Sequence, residues 1–146
     1  MKNRAFQFAV AIAAALVSTG PAEANQLVVN GGFEDGFDGW LQSGNTDYSG
    51  VGGGFVNSGA LAAYFGPVGS PGSISQTLNT VIGQSYDVSF YLQNSGAGTN
   101  SFSVLFGNAP AVISYSNQAA MPWTQLNFSA VATSAFTTLQ FNFRHD

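Results

Sequence analysis

The chain has 146 residues, of which 7% are charged and 14% aromatic, with no cysteine and a formal net charge of −4. A chain of this length suits one domain with a single core, and without cysteine no disulfide can staple it. Lys and Arg together number only three, which argues against nucleic acid and anionic membrane as partners, since both need clustered basic side chains.

Lys2 and Arg4 form a basic start, followed by an apolar run from Phe8 through Val17. Ser18-Thr19-Gly20-Pro21 breaks that run ahead of Ala22-Glu23-Ala24, a small-x-small cleavage pattern. The run is shorter than the about 20 apolar residues that cross a bilayer. Residues 1–24 therefore read as a secretory signal peptide and 25–146 as the mature domain, with no stable membrane span expected in it. The cut removes Lys2, Arg4 and Glu23, leaving Arg144 against six acidic residues and a formal charge of −5.

The mature chain opens on NGGFEDGFDGW, Asn30 to Trp40, which holds Glu34, Asp35 and Asp38, three of the seven acidic residues of the whole chain. Glu-Asp-Gly and Phe-Asp-Gly are good turn formers. Asp35 and Asp38 are thus expected to shape a turn that delivers Trp40 to the core. Short strands follow between Gly, Asn, Ser and Pro punctuation: Ala60–Phe65, Ser73–Leu78, Tyr86–Gln93, Ser101–Phe106, Thr124–Val131 and Thr137–Phe143. Within YDVSFYLQ, Tyr86, Val88, Phe90 and Leu92 share one face, while Asp87, Ser89, Tyr91 and Gln93 share the other. Leu139, Phe141 and Phe143 alternate with Gln140, Asn142 and Arg144 in the same way. No window has a convincing helical period. The class is all-β, an antiparallel two-sheet β-sandwich or jelly roll. The glycine-rich loops Ser49–Phe55 and Asn94–Asn100 lack the helix and the Lys-Ser/Thr of a phosphate-cradling loop, so turn chemistry accounts for them. The chain stops at Arg144-His145-Asp146 with no closing strand, and a C-terminally truncated domain with a frayed, exposed His145 is expected.

LVVNGGFEDGFDGW, SGALAAYFGP, ISQTLNTVIGQSYDVSFYLQN and TTLQFNFRHD together resemble the galactose-binding-like jelly rolls of carbohydrate-binding modules. The likeness is to those of exported bacterial surface proteins with a PEP-CTERM sorting tail. It implies a secreted or cell-surface location and a further strand after the FxFR segment. It also implies a structural Ca2+ ion, with the Glu34 carboxylate and the Gly32 carbonyl as ligands. Calcium takes six to eight oxygens, so carbonyls of the Asn57-Ser58-Gly59 turn are plausible additions and the chain holds at most half a site.

Catalysis has little to stand on. Glycoside hydrolysis needs two carboxylates facing each other across a sugar, and no spacing selects Asp47 or Asp87 as a partner for Glu34. His145, the sole histidine, ends the chain, which disfavours a Ser-His-Asp triad and zinc alike. The expectation is a non-catalytic module that binds a polysaccharide or other glycan through aromatic faces and amide side chains. Candidates are Tyr91, Asn94, Tyr48 and Trp123, with Tyr115 behind them. Tyr91 reads equally as a surface tyrosine packed on a loop, and Trp123 as either core lid or ligand platform. The competing reading is a structural or cohesive surface domain with no small ligand, favoured by the abundance of Asn, Gln, Ser and Thr. A row of aromatics on one sheet face would separate the two.

Overall fold

A computed structural model describes residues 8–11, 26–96 and 98–146. Its ten strands are β1 (Phe8–Ala11), β2 (Leu41–Gly44), β3 (Gly50–Gly52), β4 (Ala62–Phe65), β5 (Gly72–Asn79), β6 (Ser85–Asn94), β7 (Asn100–Phe106), β8 (Ile113–Ser116), β9 (Met121–Val131) and β10 (Phe136–His145). They form two five-stranded antiparallel sheets, ordered β3-β4-β1-β6-β9 and β2-β5-β10-β7-β8. The expected all-β sandwich is therefore present. All six strands anticipated from the sequence appear, each within two or three residues of its expected bounds.

Alternation dictates which side of each sheet is buried. On β6, Tyr86, Val88, Phe90 and Leu92 point inward, and on β10 Leu139, Phe141 and Phe143 do the same. Their rings interlock across the sandwich. Phe141 meets Phe90 edge-on at 5.2 Å between centroids and touches Trp40 at 6.1 Å and Phe102 at 6.3 Å. Phe65 of β4 stacks on Phe143 at 3.9 Å. Such aromatic pairs add about 0.5–1.5 kcal/mol each beyond the apolar area they bury.

Two features were not anticipated from the sequence, the first leaving the cleavage reading untested and the second departing from an expectation. Phe8–Ala11, inside the apolar run read as a leader, is the middle strand of the first sheet, paired with β4 on one side and β6 on the other. The cleavage motif Ala22–Ala24 lies outside the described residues. The second is His145, which is fully buried and not frayed. It continues the inward alternation of β10 and pairs with Asn100 of β7, while its N–H donates to the Pro67 carbonyl at 2.8 Å.

Burial pushes the His145 imidazole below its ordinary value near 6.5, with the neighbouring Asp146 carboxylate opposing part of that shift. A lowered folded-state value means that the unfolded chain binds the proton more readily. Stability should be complete above about pH 6.5 and fall as pH drops through that value toward the folded-state one. Asp146 shifts downward through its hydrogen bond with Arg144, so its contribution is lost only at more acid pH. With a single histidine in the chain, the assignment is direct. Denaturant midpoints between pH 7 and 5 should decline in the native protein and flatten in His145→Gln. Phe141→Ala, which empties the centre of the ring cluster, should cost about 3–5 kcal/mol in urea unfolding.

Candidate functional site

The acidic loop is organised by an amide more than by its carboxylates. Asn30 lies in the left-handed region at φ 49°, a conformation that Asn tolerates better than most residues. Its side chain donates to the carbonyls of Gly36 (3.0 Å) and Asp38 (2.9 Å) and accepts from the Asp35 N–H (3.2 Å). Its own carbonyl accepts the Trp40 indole N–H at 3.1 Å. Trp40 is buried in the core, as the sequence suggested, and Asn30 sets its position. Gln76, an inward amide on β5, fixes the preceding segment by accepting from the Val29 N–H and donating to the carbonyls of Val29 and Gly39.

Glu34 reaches the loop following Asn57-Ser58-Gly59, the same neighbourhood the sequence pointed to. Its Oε1 accepts from the N–H groups of Ala60 (2.9 Å) and Leu61 (3.3 Å). Gly59 is needed there, because a Cβ on it would fall 2.0 Å from that oxygen, and its φ is +73°. The carboxylate therefore caps a turn. Gly32 sits beside it, its notional Cβ 3.8 Å from Glu34 Cγ. Among the described residues no group of three or more His, Cys, Asp or Glu side chains converges.

The outer face of the first sheet gathers aromatic and amide groups. Register places Tyr64 of β4 opposite Gly50 of β3, and the Tyr64 hydroxyl would lie 2.5 Å from a Cβ on that glycine. The absence of a side chain at Gly50 lets the ring lie across β3. Beyond it opens a cavity of about 240 Å³ lined by Val51, Gly52, Gly54, Phe55, Ala62 and Tyr64. Tyr91 stands on the same face of β6, opposite Gln125 of β9, with Gln93 two residues along and Ser89 facing Asn127. With neighbouring strands about 4.8 Å apart and Tyr91 two residues along from the row of Tyr64, the two tyrosines stand roughly 12 Å apart on the sheet. Ala9 and Ala11 of β1, register partners of Tyr64 and Tyr91 respectively, lie between them.

Trp123, two residues before Gln125, falls on this face by alternation and lies beside an irregularity. Between Leu92 and Asn94 the β6–β9 register shifts, so that β9 uses one residue more than β6. Met121 before the shift and Leu126 and Phe128 after it pack on the core, and Trp123 is half-buried. Of the other candidates, Tyr48 is well exposed at φ 54° in the loop leading into β3. Asn94 is buried, its amide donating to the carbonyls of Gln118 (2.8 Å) and Ala119 (3.5 Å) and accepting from the Gly96 N–H (3.1 Å), so it ties loops together. Tyr115 packs against Phe102 at the second sheet, away from this face. Tyr64 and Phe55 were not singled out from the sequence. The signal was present for Tyr64, which lies between inward Ala63 and Phe65.

Replacing Asn30 with Ala should cost about 1–3 kcal/mol through the stranded loop groups, and shift Trp40 fluorescence. Asp35→Asn in the same loop should stay within about 0.5 kcal/mol. Urea titrations of both variants make the comparison.

A family model described as "Protein of unknown function (DUF642)" matches residues 18–146. Among solved structures, the chain is similar to the enzymatically active domain of tailspike protein 4 of bacteriophage CBA120, with a TM-score of 0.58 and 19% identity over 82% of this chain. At that identity the likeness is one of fold. This chain spans 19% of the tailspike chain. Curated proteins yield no match.

Proposed function

The chain belongs to the DUF642 family, and for this member we propose a non-catalytic, exported module that binds glycans at the cell surface or in the extracellular matrix, as in surface proteins of the PEP-CTERM type. The supporting observation is the outer face of the first sheet, where Tyr64, Tyr91 and Trp123 share a surface with Gln93, Gln125 and Asn127. Aromatic rings stack on the apolar faces of sugar rings, and amides satisfy the hydroxyls around them. The only carboxylate on the part of this face formed by β6 and β9 is Asp87, which accepts a short hydrogen bond from Ser129. An uncharged polysaccharide suits such a surface better than an anionic one.

A second reading draws support from the opposite face. Ser43, Ser73, Asn142, Ser103 and Ser114 stand in one register row across all five strands of the second sheet. Asn142 donates to Ser103 at 3.0 Å and accepts from Gln140 at 2.6 Å. A hydroxyl-rich row without aromatics fits a cohesive surface domain, although Phe136 at the end of β10 is exposed on the same face.

Affinity electrophoresis against a panel of neutral polysaccharides distinguishes these readings. Under the first, at least one polysaccharide retards the protein, and Tyr64→Ala, Tyr91→Ala or Trp123→Ala each weakens binding by about 1–2 kcal/mol, roughly tenfold. Retardation that survives all three substitutions removes the aromatic face from the account. Concentration-dependent self-association abolished by Asn142→Lys, with no glycan bound, would favour the second.

The Glu34 carboxylate with the Gly32 carbonyl is also proposed to contribute to a structural Ca2+ site, for which oxygen ligands beyond this pair are required. Calcium at about 100 times its Kd should then raise stability by about 2.7 kcal/mol. Glu34→Gln should abolish that gain, and no shift between calcium and chelator would leave Glu34 as a turn cap only.

A further inference from the structure

The middle of the first sheet is filled by a segment that the sequence marks for removal. Phe8, Ala9 and Val10 pair with Phe65, Tyr64 and Ala63 of β4, and Phe8 through Ala11 pair with Asn94 through Tyr91 of β6. Cleavage after Ala24 would take this strand away and leave β4 and β6 as two inner edges facing each other across the width of one strand. The backbone groups freed there lie beside Ala63, Phe65 and Leu92, all buried, where unpaired N–H and C=O groups are costly.

The gap cannot close simply by bringing β4 against β6. Both run antiparallel to β1 and therefore parallel to each other, and each is tied separately to the opposite sheet. Phe65 stacks on Phe143, and Phe90 meets Phe141. Phe141 and Phe143 belong to β10, the central strand of the second sheet. Closing the gap would break one of these contacts or buckle β10, so the second sheet holds the first one open.

Register also defines what fits. The positions of Phe8 and Val10 lie opposite the inward residues Phe65, Asn94, Ala63 and Leu92, so the occupant needs large apolar groups there. The positions of Ala9 and Ala11 lie opposite the outward residues Tyr64, Gln93 and Tyr91, and both are small residues in this sequence. No charge occurs between Arg4 and Glu23.

We propose that the gap between β4 and β6 is a strand-acceptor site, occupied by Phe8–Ala11 in the uncleaved chain and, once that segment is gone, by an extended, uncharged peptide strand of the same large-small alternation, antiparallel to both neighbours. The recognition is strand addition in the interior of a sheet: main-chain hydrogen bonds on both sides supply affinity, and alternate side-chain positions supply selectivity. This inference is independent of the glycan-binding reading.

The test starts from the full chain carrying a protease site between Ala24 and Asn25. It is purified folded, cut, and offered a fluorescent peptide covering residues 5–14. The peptide should exchange with the severed N-terminal piece at a stoichiometry of one, and a Val10→Lys version should bind at least about tenfold more weakly. Amide exchange at Ala63 and Leu92 should stay slow while the site is filled and accelerate when the piece is washed out. If the cut protein aggregates, rescue by the peptide supports the site and failure to rescue overturns it. The proposal is also overturned if the peptide does not bind, if the lysine version binds equally well, if Ala63 and Leu92 exchange alike with and without an occupant, or if the cut chain pairs with a second copy that the peptide cannot displace.

Discussion

The inward face of β10 is the constraint on which the remainder of the structure depends. Phe141 and Phe143 come from the middle strand of one sheet and engage β4 and β6 of the other sheet and the Trp40 loop. A sandwich of this size has no disulfide and few ion pairs to fall back on, so its two sheets are held at their separation by interlocked rings. Aromatic side chains bury large areas for few rotatable bonds, which makes them efficient where no covalent link is available. The same contacts fix the spacing of β4 and β6, and hence both the width of the gap that β1 fills and the separation of Tyr64 from Tyr91. Core and candidate surface are therefore one mechanical unit.

Much of this was legible in the sequence because period-two alternation is a direct consequence of strand geometry. The faces of β6 and β10 followed from it without error, including the outward position of Tyr91. The same rule would have buried His145, which stands two residues beyond Phe143. Nearness to the chain's end argues for fraying, but backbone pairing with Asn100 and Pro67 secures that position. The short strands β2, β3 and β8 escaped notice for a different reason. Leu41-Gln42-Ser43-Gly44 is exposed throughout, and Gly50-Val51-Gly52 has almost no side chains from which a period could be read. They are strands because neighbours pair with them, which is tertiary information.

The acidic loop shows a limit of reasoning from charge. Its three carboxylates draw attention, yet the group making most of the cross-loop hydrogen bonds is the neutral side chain of Asn30, and Glu34 serves two N–H donors well downstream. An amide can donate and accept at once, whereas a carboxylate only accepts. A loop that must satisfy both carbonyls and N–H groups is better served by the amide. The cue in the sequence was Asn at the head of a glycine-rich turn, a residue suited to left-handed backbone.

The two outer faces divide along the same logic. On the second sheet, serine and asparagine stand in a continuous row with no ring among them, and all five strands keep regular register. The first sheet is irregular at two places, the glycines of β3 beneath Tyr64 and the register shift beside Trp123. Gly50 makes room for the Tyr64 ring where any side chain would have met it. Bulges and strand glycines weaken a ladder locally. Their place on the face that carries the aromatics is consistent with the proposed ligand surface, while the regular second sheet offers the hydroxyl-rich alternative.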